Sequence, residues 1–122
     1  MHRRRFELLV SRALRSLPPA LLERLENVAV VVERRPTPEQ HSRRGPAEDE
    51  GLLGLYEGVP LTERGSGYGM VLPDRIILFQ EPIEEACVTD AQVRKEVQRT
   101  VIHEIAHHLG MTDEELERLG WG

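Results

Sequence analysis

His103-Glu104-Ile105-Ala106-His107, read within the longer stretch from Thr89 to Asp113, decides how this chain folds. Thr89-x-x-Gln92 is a capping box, the Thr side chain bonding a free N–H while Gln reaches back. From Asp90 the sequence predicts one helix to about Leu109. Val97, Val101, Ile102, Ile105 and Leu109 form an apolar stripe on it. Stepping about 100° per residue, that stripe lies opposite His103 and His107. One face should therefore pack on a sheet while the other opens outward. His103 and His107 are about one helical turn apart, so their imidazoles share a face. Two neutral nitrogen ligands suit Zn²⁺, which favours tetrahedral sites and tolerates an open position. Glu104 is rotated about 100° from His103, where a general base can take a proton from a metal-bound water.

The residues that follow extend the pattern to H-E-x-x-H-x-x-G-x-x-D, through Gly110 and Asp113. In metzincins the Gly allows a sharp turn and a third His returns to the metal. Here Asp113 takes the place of that His, and a carboxylate oxygen is an acceptable third zinc ligand. The expected site is His103, His107 and Asp113 on a single zinc ion, water in the fourth position and Glu104 as base. An Asp ligand brings negative charge to the metal, so turnover should be slow. Thr112-x-x-Glu115 is a second capping box, opening a last helix through about Leu119 with Gly120 as its stop. Asp113 would begin that helix, where an acid is also favoured by the dipole. Glu114 is the rival ligand, one position along.

At these residues the chain resembles short bacterial zincin-like metallopeptidases, the minimal zincins. The matching stretches are HEIAHHLGMTD from His103 to Asp113 with Glu114-Glu115-Leu116 behind it, LLGLYEGVPLTERG from Leu52 to Gly65, and PDRIILF from Pro73 to Phe79. The resemblance implies a compact zincin-like domain with metal-dependent peptidase activity; it implies no particular substrate. One departure from metzincins matters. Nine residues follow Asp113 in this sequence, too few for their Met-turn, and Trp121 is the candidate for the floor under the metal.

Upstream, Phe6, Leu9, Val10, Ala13, Leu14 and Leu17 recur at helical spacing, so residues 4–17 read as an amphipathic helix. Pro18 and Pro19 end it and open a short second helix from Ala20 to Glu26. Val28 to Val32 is continuous and mostly β-branched, and reads as a buried strand. Residues 34–50 are turn-rich and charged and read as a solvated, mobile loop. Leu52 to Tyr56 is a second strand, with Gly54 suggesting an edge or bulge. Val59 to Met70 is Gly-rich and irregular, and Arg75 to Gln80 is a third strand. The fold expected is α+β: a small sheet of three or four strands against the long helix, N-terminal helices at its flank and a short C-terminal helix.

The 122 residues read as one domain, 1–122, with 39% hydrophobic residues for a modest core. A net charge of −5 speaks against a nucleic-acid binder, and the Arg3 to Arg15 cluster reads as a solvated helix face. Cys87 is the single cysteine, which excludes an intramolecular disulfide and fits a reducing cytoplasm. Phe6 to Leu17 is interrupted by Glu7, Arg12 and Arg15, so no export signal or membrane span is expected. His108 projects toward the packed side and reads as a supporting or core histidine. Cys87 reads as a structural thiol; His2 and His41 are given no role. Tyr68, between Gly67 and Gly69, reads as a loop aromatic, the alternative being a donor to a substrate oxyanion. The function expected is hydrolysis of a peptide or protein substrate, laid along a sheet edge at Leu52 to Tyr56 or Arg75 to Gln80. The alternatives are a non-catalytic zinc-stabilised binding module and a zinc hydrolase of a non-peptide amide or ester.

Overall fold

The computed structural model of the chain describes residues 1–44, 52–58 and 74–120, without the side chains of Arg43, Arg44 and Asp113. Among the described residues the sheet has three strands, β1 (Val28–Glu33), β2 (Gly54–Glu57) and β3 (Asp74–Phe79), in the order β1-β3-β2. The central strand pairs in parallel with β1 and antiparallel with β2. Central position explains its sequence: Ile76, Ile77, Leu78 and Phe79 are all fully buried, because both faces and both edges are covered. Ile76 and Leu78 join the main core on the helix side, while Ile77 and Phe79 pack with Leu52 and Leu55 on the other. Glu57 and Arg75 are directly opposite in the β2–β3 register and form an ion pair at 2.7 Å.

Two strand expectations change. Val28 to Val32 reads as buried, yet every residue of β1 is half-buried. A parallel partner on one side only leaves an outer strand partly open, whatever its composition. Arg75 to Gln80 cannot be the sheet edge that receives a peptide, since β3 has a neighbour on each side.

The helices are α1 (Arg3–Arg15), α2 (Pro19–Arg24), α3 (Pro38–Arg44), α4 (Gln80–Glu85), α5 (Asp90–His108) and α6 (Asp113–Arg118). In α1 the buried residues Phe6, Leu9, Val10 and Ala13 follow the i, i+3, i+4, i+7 rule and lie in the main core. That face packs with α5, and Gln98 Nε2 donates to the Ala13 carbonyl at 2.9 Å. The solvated loop expected at 34–50 instead contains α3. Thr37 Oγ1 accepts from the Gln40 N–H and Gln40 Oε1 accepts from the Thr37 N–H, a capping box with Pro38 inside the first turn. Residues 45–50 lie outside the described ones. Arg34 and Arg35 both bind the carboxylate of Glu81 at the start of α4. The Arg34 hydrogen bond, above all, holds that carboxyl below its ordinary range. Helix α4 has no counterpart among the elements expected from sequence; Pro82 falls in its first turn, where the missing N–H costs nothing.

Gly54 belongs in β2 because of what faces it. A Cβ there would meet Thr100 Cγ2 of α5 at 2.5 Å and the Ile77 carbonyl oxygen at 3.1 Å. Helix and strand touch at this point with no room for a methyl group, so the glycine marks a close approach rather than a bulge. Gly54→Ala is expected to destabilise the protein by about 1–3 kcal/mol in urea unfolding. Thr100→Ser in the same chain should recover part of that loss by removing the opposing methyl. An unchanged midpoint in the single variant would contradict the contact.

Candidate metal centre

Helix α5 carries the site, and its start and stop are both chemically specified. At the start, Thr89 Oγ1 accepts from the Gln92 N–H at 3.1 Å while Gln92 Oε1 accepts from the Thr89 N–H at 3.2 Å. At the end, the Met111 N–H donates to the Ala106 carbonyl at 2.8 Å and the Gly110 N–H to the His107 carbonyl at 3.1 Å. This pair of bonds is a Schellman motif, which needs a left-handed residue, and Gly110 has φ +72°. These bonds close the last turn of α5 and end the helix. Thr112 then caps α6, its Oγ1 accepting from the Glu115 N–H at 3.2 Å.

The buried face of α5 is Val93, Val97, Thr100, Val101, Glu104, Ile105 and Ala106. Leu109, expected on this stripe, is 43% exposed because it lies past the last helical turn as the C-cap. His103 is half-buried and His107 exposed, so both reach toward the surface from beside the packed face. Their ring centroids are 4.3 Å apart with planes tilted by 45°. A nitrogen of each histidine and a carboxylate oxygen of Glu104 all lie within 4.8 Å of one another. Two imidazoles brought together in this way are ligands that zinc accepts, with the Glu104 carboxylate close beside them.

Glu104 is only 3% exposed. A carboxylate at that depth needs hydrogen-bond donors, and its Oε1 accepts from the Tyr56 N–H of β2 at 3.0 Å. The ladder explains why that donor faces the helix. The Phe79 N–H bonds the Leu53 carbonyl, so 53 and 79 form a hydrogen-bonded pair. Antiparallel alternation then turns the Tyr56 N–H away from β3. Nothing in the sequence motif points to this partner, since it comes from a strand 48 positions away.

Of the two readings of His108, a supporting or a core histidine, the structure fits the first and not the second. His108 is exposed, and its ring lies flat on Tyr56 with centroids 4.0 Å apart and planes at 17°. The Tyr56 hydroxyl donates to Asp74 Oδ2 at 2.7 Å. Cys87 is half-buried, and burial, with the charge of Glu96 behind it, pushes its thiol up, as fits a structural thiol. His2 caps α1 through Nδ1, and His41 sits exposed in α3. Asp113 begins α6, but its side chain, like Tyr68 and Trp121, lies outside the described residues.

The sequence profile of the zincin-like metallopeptidases matches residues 25–121. The chain belongs to that family. A solved structure of a conserved hypothetical protein from T. thermophilus superimposes with a TM-score of 0.54 at 25% identity, over 89% of this chain and 94% of the other. No curated protein matches. Among the described residues no helix is long and apolar enough to cross a membrane. The fold and family therefore agree with a small α+β zincin-like domain.

Zinc-loaded protein should carry about one ion per chain by elemental mass spectrometry, as a single tetrahedral site requires. His103→Ala and His107→Ala are each expected to lose it after desalting, whereas His108→Ala retains it. Retention in either of the first two variants would remove the pair as ligands.

Proposed function

We propose that this protein is a zinc-dependent peptidase whose ligands are His103, His107 and Asp113 and whose general base is Glu104. The observation that carries the reading is the convergence of His103, Glu104 and His107 at the end of one rigid helix. Asp113 is assigned as third ligand over Glu114 from its offset in the motif, past the glycine turn that ends the helix. When bound, zinc polarises a carbonyl and acidifies water, the chemistry that hydrolysis of an unactivated amide demands.

The chain's own residues supply the rest. The imidazoles of His103 and His107 would hold the ion from one helix face. Glu104 takes the proton of the attacking water and passes it to the leaving amine, the two transfers a peptidase base must make. Its carboxylate is held by the Tyr56 N–H, so it meets the water in one orientation. A peptide would enter along the β2 side of the sheet, because that is the strand against which Glu104 lies.

The same burial of Glu104 also supports a second reading, a zinc-pinned binding module in which the carboxylate is only structural. Glu104→Gln separates them. It is expected to keep its zinc and lose hydrolysis by roughly 10²- to 10⁴-fold, the range for a general base. Full activity in that variant would sink Glu104 as base. A panel of peptides, folded proteins, small amides and esters distinguishes a peptidase from a hydrolase of other carbonyl substrates.

A further inference from the structure

Tyr56 is where strand β2 crosses helix α5, and three separate groups of this one residue are engaged there. Its backbone N–H donates to Glu104 at 3.0 Å. Its ring stacks on His108 at 4.0 Å. Its hydroxyl donates to Asp74 of β3 at 2.7 Å. Glu104 and His108 are four residues apart, so they stand one above the other on α5. A single strand residue therefore meets two successive turns of the helix. Tyr56 is paired with Ile76, which puts Asp74 at the diagonal position two residues along β3. A Cβ at Gly58 would lie 3.8 Å from Asp74 Oδ1 and 4.0 Å from His108 Cε1, so the chain past Tyr56 closes over the same cluster.

We propose that Tyr56 is the positioning residue of this site: its side chain, clamped between His108 and Asp74, fixes the backbone N–H that aims the carboxylate of Glu104. The proposal rests on the peptidase reading of Glu104, but the clamp itself exists without metal or substrate. The ring and hydroxyl set where β2 lies relative to the last turns of α5. The N–H then has one place to be, and the carboxylate one direction to point. A shift of about 1 Å in a catalytic group costs roughly 100-fold in rate, so such a clamp matters more to turnover than to binding.

The test uses the full chain in two states. In the metal-free protein, nuclear magnetic resonance should show the Tyr56 amide resonance moving in Glu104→Ala, because its acceptor is gone. The His108 ring protons should stay at their upfield positions in Tyr56→Phe and lose them in Tyr56→Leu. A Tyr56 amide indifferent to Glu104→Ala, or His108 protons indifferent to Tyr56→Leu, overturns the proposal. These spectra need no activity, so failure of the peptidase reading and failure of the clamp are told apart. In the zinc-loaded protein, Tyr56→Leu is expected to lower kcat by roughly 10- to 100-fold with KM unchanged, while Tyr56→Phe recovers most of the rate. Unchanged kcat at equal zinc content reduces Tyr56 to packing and overturns the role. If Tyr56→Leu does not fold, His108→Ala takes its place by removing the other half of the ring stack: a fall in kcat without a rise in KM at equal zinc content supports the clamp, and an unchanged kcat contradicts it.

Discussion

The contact between Glu104 and the Tyr56 N–H is the constraint on which the rest of this structure depends. It joins a carboxylate of the long helix, only 3% exposed, to the outer strand β2. A hydrogen bond to a charged group contributes about 1.5–3 kcal/mol, a large share of the stability of a small domain, roughly 5–15 kcal/mol. Helix and strand are therefore bound to a single relative position. Gly54 admits the approach by presenting no Cβ to Thr100, one turn earlier on the helix. The β2–β3 register, with Glu57 opposite Arg75, points the N–H of residue 56 outward.

From that fixed helix the candidate metal centre follows with little further help. The imidazoles of His103 and His107 sit at the edge of the packed face and come together at 4.3 Å. The Schellman turn at Gly110 stops the helix just beyond them and sends α6 off through the cap at Thr112. Rigid placement on a helix, with a supporting layer behind it, is what a hydrolytic site needs. The family match over residues 25–121 accords with that division: α1 packs from outside the matched region and contributes core, while the chemistry lies within it.

Local signals make the helix and the grouping of its histidines with Glu104 legible in the sequence. The H-E-x-x-H spacing, the capping box at Thr89 and the glycine at 110 each act over a few residues, and each appears where expected. The same reasoning failed where charge and proline obscured an equally local signal: the box at Thr37 and Gln40 opens α3, and Pro82 sits in the first turn of α4. Other features were out of reach because they are relations between distant segments. The outer position of β1 comes from pairing, and its valines are the same valines a central strand would use. The stack of His108 on Tyr56 and the bond from Tyr56 to Glu104 join residues about fifty positions apart, and no periodicity reports them.

In the proposed site one helix, held by one strand, presents two histidines to a zinc ion. Zinc-edge X-ray absorption of the loaded protein tests it most directly, because imidazole rings give a multiple-scattering signature that can be counted. Two histidine ligands are expected, with the remaining shell made of oxygen, and no zinc held at this site in His103→Ala or His107→Ala. Zinc bound with no imidazole signature, or with sulfur from Cys87 in its shell, would contradict it.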